Sequence, residues 1–326
     1  INMNIIIIGC GNIGFRHLES ILNLDAKKNI YIVDKSDASI DRCKNLLYKN
    51  DDQNLSSFFF KSIDDINSNL EIDIAIIASN SNSRASIIRS LFSKVIPTHL
   101  ILEKLLFTKI SDFNFFLDFF KNFKTKVWVN QWLNSEFQFL TDQINSNEKL
   151  EVTIYGSQWG LACNSVHFLE WFHELSSRDG LKISNHSFYR VLEAKRAGFY
   201  EIFGSIEIVS KNGNKLNLIC DDKTDPELLG PLINVKSKSF NLSCKMSPSD
   251  LIGEISTFNN AFTNFTQPLK YQSQRTEIVI SDLMEENDCC LPSYIVSCNH
   301  HLLIYPLFND YFLANNIDTA SGIPIT

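Results

Sequence analysis

Over the first 130 residues, short apolar runs alternate with segments whose apolar positions recur every three to four residues. The runs at 4–8, 30–34, 57–61, 72–78, 99–102 and 126–130 have the length and composition of strands. The segments at 13–24, 38–49, 63–70, 83–93 and 112–123 have the length and period of helices. This alternation predicts βαβ units around a parallel sheet. Segment 112–123 shows the logic: Phe113, Phe116, Phe120 and Phe123 share one helical face, with Asp118, Lys121 and Asn122 on the other. Such a stripe reads as core rather than as a ligand platform.

Beyond residue 150 the pattern changes. A helix predicted at 164–176 is followed by β-rich runs at 187–194, 201–209, 215–220, 232–235 and 240–246. Turns such as Asn212-Gly213-Asn214 and Asp225-Pro226 join them, which predicts a mostly antiparallel sheet. Two helices are expected to close the chain, near 269–286 and 293–313.

Composition narrows the classes. The chain has 326 residues, 44% hydrophobic and 21% charged, the make-up of a folded globular protein of about two domains. Thirty Lys and Arg stand against 37 Asp and Glu, a net charge of −7. Nucleic acid and anionic membrane surfaces are therefore not expected as partners. No apolar run approaches the ~20 residues of a membrane span. The eight cysteines, at 10, 43, 163, 220, 244, 289, 290 and 298, show no paired spacing, so a reduced, cytoplasmic chain is expected. The run 5–8 leads directly into glycines and not into a leader's cleavage site. His300 and His301, with Cys289, Cys290 and Cys298, contain no C-x-x-C and fit no common structural spacing, so no metal is expected.

Gly9-Cys10-Gly11-Asn12-Ile13-Gly14 is a GxGxxG directly after a strand and opening a helix. Gly9 permits the tight turn, Gly11 lets the backbone approach a pyrophosphate, and Gly14 lets helix and strand pack closely. The free N–H groups at Asn12 and Ile13 begin a helix whose positive end suits phosphate. Asp34, twenty residues after Gly14, closes the second strand where a dinucleotide fold places an acid for the ribose hydroxyls. A carboxylate there repels a 2′-phosphate, so NAD is favoured over NADP, with Lys35 as the counter-argument. Ser79 and Asn80 follow the fourth strand, at the edge where open α/β sheets bind ligands; the same polar run also suits a helix cap. Together these features predict an α/β fold, with a Rossmann dinucleotide-binding domain at 1–126. An α+β domain with a mostly antiparallel open sheet is expected at 127–326.

Glu103-Lys104 follows the fifth strand, and a lysine there is suited to proton transfer, although an EK pair is also a common surface pair. With these residues the chain resembles the Gfo/Idh/MocA family, relatives of glucose–fructose oxidoreductase and inositol dehydrogenase. Gly9, Gly11, Gly14 and His17 match the family's first motif. Glu103 and Lys104 match its E-K-P, with Leu105 where Pro is usual. Cys163 to Glu170 matches its D-x-x-x-H-x-x-D at His167, with Cys163 in place of the first Asp and Glu170 at the last acidic place. The ending LPSYIVSCNHHLLIYPLF is similar to the family's C-terminal helix.

The resemblance implies an oxidoreductase acting on CH–OH groups of a small sugar, polyol or sugar derivative. It also implies a homo-oligomer formed through the second domain's open sheet. Lys104 and His167 are the implied catalytic residues, able to relay a hydroxyl proton near pH 7. Glu103 joins Gly9, Gly11, Asn12, Ile13, Gly14, Asp34, Ser79 and Asn80 as an expected cofactor contact. Lys104, Asn130, Gln131, Cys163, Asn164 and His167 are the expected substrate contacts, with Asn164 a substitute for the missing acid. Asn130 and Gln131, flanked by Trp128 and Trp132, also fit a polar loop between buried aromatics. His167, Glu170 and Glu174 share one helical face. The stretch 156–164 is similar to a sub-branch associated with surface-polysaccharide and nonulosonic acid biosynthesis. Two other functions remain open at this point. One is a bound-NAD catalyst of epimerisation or glycoside cleavage. The other is an NAD- or sugar-binding sensor that has lost its chemistry, to which Leu105 and Cys163 point.

Overall fold

A computed structural model describes residues 2–50, 52–144, 148–194, 196–223, 230–257 and 262–325. The chain forms two compact units, Ile1–Asn130 with Lys270–Cys298, and Gln131–Leu269 with Asn299–Thr326. The segment Lys270–Cys298 falls within the stretch expected as the second domain, yet it packs in the first unit. Its helix α8 (Thr276–Glu286) explains why. Val279, Ile280 and Leu283 enter the same apolar cluster as Leu18 and Ile21, and the Glu277 N–H donates to Ser20 Oγ at 2.9 Å.

The first unit is built on a six-stranded sheet of order β3-β2-β1-β4-β5-β6. Its strands are β1 (Asn2–Ile8), β2 (Lys27–Val33), β3 (Leu55–Phe60), β4 (Ile74–Ile77), β5 (His99–Leu102) and β6 (Lys126–Val129). All neighbours run parallel. Ile5 lies between Ile30 and Ile74, and Ile7 between Ile32 and Ile76. Ile5, Ile6 and Ile7 are all fully buried, because helices cover both faces of a parallel sheet and leave no polar side to alternate with. Strand order reverses between β1 and β4, so a crevice opens beyond Ile8 and Ile77.

Helices α1 (Asn12–Ile21), α2 (Asp37–Tyr48), α3 (Ser81–Lys94) and α4 (Ile110–Phe119) lie close to their expected places. The aromatic stripe of α4 is core: Phe113 and Phe116 are fully buried with ring centroids 5.2 and 5.0 Å from Phe107. The helix expected at 63–70 is reduced to one tight turn, Ile63–Asp65. Ser62 and Asp65 cap that turn, and Asn67 Oδ1 accepts from the Asn69 N–H. Short polar side chains here bond the backbone in place of the next helical turn.

The second unit carries an eight-stranded sheet of order β14-β13-β12-β11-β7-β10-β9-β8. Its strands are β7 (Glu151–Ser157), β8 (Leu181–Glu193), β9 (Tyr200–Ser210), β10 (Lys215–Asp221), β11 (Leu232–Lys236), β12 (Phe240–Met246), β13 (Asp250–Thr257) and β14 (Phe262–Pro268). Only the β7–β10 pair is parallel. The Asn212-Gly213-Asn214 turn joins β9 to β10, with Gly213 at φ +89°; Asp225-Pro226 lies outside the described residues. Short helices α5 (Leu133–Glu136) and α6 (Gln138–Gln143) precede the sheet, and α7 (Leu161–Leu175) follows β7. Helix α9 (Tyr294–Ala314) contributes its residues from Asn299 onward to this unit. All eight cysteines are free. Among the described residues, no helix is long and apolar enough to cross a membrane.

Candidate functional site

The glycine-rich turn sits at the carboxyl end of β1. Gly9 takes φ +88° and its N–H donates to Val33 O at 2.9 Å, tying the loop to β2. A Cβ at Gly14 would lie 1.9 Å from Gly9 O, so α1 can approach the loop only with glycine there. A Cβ at Gly11 would meet no protein atom within 4 Å. That open face, and a helix start with no side-chain cap, leave the first N–H groups of α1 available to an anion. Ser79 backs the loop: its backbone nitrogen is 3.0 Å from a Cβ built on Gly9, and its buried hydroxyl has no hydrogen-bond partner. These features fit the pyrophosphate of a dinucleotide. Asn80 is the residue before α3.

Asp34 stands just past β2. Its Oδ2 accepts from the Cys10 N–H at 2.6 Å and its Oδ1 from the Ser36 N–H at 2.8 Å. Each oxygen keeps a second lone pair for a ribose hydroxyl. Arg42, which no spacing flagged, braces the same loop. It donates to Cys10 O at 2.9 Å and Gly11 O at 2.8 Å, and lies 4.4 Å over the Phe15 ring.

Beyond β5 lies a buried polar network. Glu103 Oε1 accepts from Asn130 Nδ2 at 2.5 Å and stands 2.8 Å from His17 Nε2. His17 Nδ1 is 2.8 Å from Thr276 Oγ1, and Gln272 bonds both Thr276, at 3.0 Å, and Asn130, at 2.9 Å. A carboxylate on Nε2 fixes that nitrogen as a donor. Burial alone would raise the Glu103 carboxyl. The hydrogen bond and charge of His17, the Asn130 amide and the Arg84 charge outweigh burial and hold it below the usual carboxylate range.

The residue after Glu103 is Lys104, which is half-buried. The Lys104–Leu105 peptide is cis. Arg84 on α3, 2% exposed, donates to Leu105 O, Leu106 O and Ser79 O, joining the turns after β4 and β5. Glu103, expected as a cofactor contact, and Asn130, expected at the substrate, are thus both buried within this scaffold.

In the second unit, Gly160 (φ +84°) turns the chain from β7 into α7. Cys163 Sγ donates weakly to Gly160 O at 3.7 Å, and Asn164 Nδ2 to Trp159 O at 2.7 Å. Glu201 Oε2 receives the Ala162 N–H at 3.1 Å. His167 is 5% exposed, with the Trp132 ring 5.2 Å away. Gln131, fully buried, donates to Val166 O at 2.6 Å and so fixes the α7 backbone beside His167. Glu170 does not share a solvated face with Glu174: it is buried against His300, 3.3 Å from its Nδ1.

The first unit has the sheet order and the glycine loop of a dinucleotide-binding Rossmann domain. Residues 3–131 match the Gfo/Idh/MocA family model, an oxidoreductase family with an NAD-binding Rossmann fold. No curated protein matches the sequence. Solved structures share the whole architecture. An oxidoreductase from Agrobacterium radiobacter, in complex with NAD+, L-tartaric acid and magnesium, is 13% identical over 93% of this chain and 94% of that one, with a TM-score of 0.71. A 3-ketoreductase from Actinomadura kijaniata, in complex with TDP-benzene and NADP, is 12% identical over 93% and 96%, with a TM-score of 0.68. A UDP-N-acetylglucosamine 3-dehydrogenase from Acidithiobacillus ferrooxidans is 11% identical over 92% and 94%, with a TM-score of 0.64. At these identities the likeness is one of fold.

Proposed function

We propose that this protein is an NAD-dependent oxidoreductase that moves hydride between nicotinamide and a hydroxyl- or keto-bearing carbon of a sugar derivative. The observation that carries the reading is the buried His17–Glu103–Asn130 network, which holds Lys104 at the carboxyl edge of the cofactor-binding sheet. Gly9, Gly11, Asn12, Ile13, Gly14, Ser79 and Asn80 would hold the dinucleotide, and Asp34 its ribose. Asp34 is also the argument for NAD over NADP. The bound nicotinamide supplies or takes the hydride. Lys104 carries the proton that leaves or joins the substrate oxygen, and His167 is the second group able to relay it. Glu103, Asn130 and Gln131 act by positioning; Cys163 and Asn164 remain the substrate-side contacts.

The sugar assignment draws support from the UDP-N-acetylglucosamine 3-dehydrogenase among the similar solved structures. The 156–164 stretch supports a place in surface-polysaccharide or nonulosonic acid biosynthesis. Exposed Tyr189, Leu192, Ile252 and Phe262 on the second sheet support a homo-oligomer formed there. The test is nicotinamide fluorescence during incubation with free and nucleotide-linked sugars, for wild type and Lys104→Met. The reading expects substrate-dependent NADH turnover that falls roughly 10²- to 10⁴-fold in the variant, with NAD affinity kept within a few-fold. Product without net NADH would replace it with internal redox cycling, and binding without product with a sensor.

A further inference from the structure

Helix α7 carries a second set of chemistry-bearing side chains, one turn beyond His167. Glu170 and His173 stand three residues apart, so they project from one face of the helix. His300, on the part of α9 that belongs to the same unit, meets them. One ligand atom from each of the three lies within 4.8 Å of the other two. Glu170 and His300 are each 3% exposed, and His173 is half-buried.

The contact between Glu170 and His300 is unusual for a simple pair. Oε2 and Nδ1 approach to 3.3 Å, yet both are buried and neither makes a hydrogen bond. Among the described residues, His300 is the ion-pair contact of Glu170, and no Lys or Arg bonds its carboxylate. A buried carboxyl oxygen and a buried imidazole nitrogen that face one another can share a proton or a metal ion; burial pushes the Glu170 carboxyl up to about 7, and a bound cation would displace that proton. Around a tetrahedral ion with bonds of about 2.0–2.2 Å, neighbouring ligand atoms stand roughly 3.3–3.5 Å apart. The Glu170–His300 separation matches one such edge, and the His173 ligand atom lies within 4.8 Å of both.

We propose that Glu170 Oε2, His300 Nδ1 and a ring nitrogen of His173 bind one divalent transition-metal ion of the zinc type, which ties α7 to α9 within the second unit. Two imidazoles and one carboxylate form a borderline-soft nitrogen and oxygen set, which favours zinc over the hard ions calcium and magnesium. The half-buried side at His173 leaves room for a water as fourth ligand. Burial holds both His173 and His300 below the ordinary histidine range, which keeps each imidazole in its neutral, lone-pair-bearing form. Spacing in the sequence could not reveal this site, because its ligands are two residues of one helix and a third 127 positions later.

The test uses the full chain, stripped with a chelator and titrated with Zn2+ or Co2+. Metal content is measured by elemental analysis, melting temperature by scanning fluorimetry, and ligand field by the visible spectrum of the cobalt form. Wild type should take up one ion per chain, melt higher when loaded, and show the intense visible bands of four-coordinate cobalt. His173→Gln changes the half-exposed ligand and so keeps the fold; it should weaken binding by about 100-fold or more. Glu170→Gln should do the same, and His186→Gln, on the exposed part of β8, should bind as wild type. No stoichiometric uptake at 100-fold excess metal, or uptake equally strong in His173→Gln, would overturn the proposal. All three readouts are independent of oxidoreductase turnover, so loss of the proposed hydride chemistry would leave them unaffected.

Discussion

Gly11 and Gly14 lie three residues apart, at the N-cap and in the first turn of α1, and alanine at each should do opposite things. At Gly14 the new methyl would sit 1.9 Å from Gly9 O and 2.9 Å from Gly9 C. Both are backbone atoms of a loop tied to β2, so α1 itself must move, at a cost of about 1–3 kcal/mol or more. At Gly11 the methyl meets nothing. Its backbone, φ −62° and ψ −158°, is extended and open to alanine. Alanine is a poorer N-cap than glycine by roughly 0.5–1 kcal/mol, while the loss of glycine's unfolded-state freedom returns about 0.4–1 kcal/mol. Stability of Gly11→Ala should therefore stay within about 0.5 kcal/mol of wild type. Affinity should not. The methyl occupies the face on which a pyrophosphate would accept the first N–H groups of α1, and each charged hydrogen bond lost costs about 1.5–3 kcal/mol, roughly 10- to 100-fold. Calorimetric titration with NAD, beside chemical denaturation of the same preparations, measures both quantities. A Gly11→Ala protein that binds NAD as wild type would refute the placement of the pyrophosphate. A Gly14→Ala protein as stable as wild type would refute the packing argument.

Glu103→Gln keeps the shape of the buried network and removes its charge, and should cost about 1.5–3 kcal/mol at neutral pH. The sign of its pH dependence follows from the lowered folded-state value: the charge stabilises the fold above the unfolded carboxyl value near ~4.3, and that contribution is lost as pH falls through the lower folded value. Melting curves from neutral pH down into that window should converge for wild type and variant; a constant gap would show that the carboxylate does not supply the difference. His167→Asn should lower kcat by about 10²-fold or more while melting temperature and NAD affinity stay close to wild type. A fall in melting temperature with turnover unchanged per folded molecule would make His167 a core histidine.

The first unit was legible because its signals are local. A parallel sheet covered on both faces needs unbroken apolar strands such as 5–8 and 74–77, and a phosphate turn needs glycine at 9, 11 and 14, whatever the rest of the chain does. The second sheet was legible only in part. In β14, FTNFTQP, the two phenylalanines fall on opposite faces among polar residues, and β13 carries Gly253 mid-strand, where a Cβ would come within 2.3 Å of Cys244 Cβ. Neither strand shows the alternation that marks a half-buried run. The groups that hold the site in shape were the least legible. Arg42 reaches the glycine loop from 31 residues away, Arg84 joins two turns from α3, and Thr276 bonds His17 across 259 positions. Each matters through where its side chain ends, and no periodicity encodes that. The same reason explains Glu170: its helical phase was readable, but whether that face meets solvent or His300 depends on a helix more than a hundred residues later.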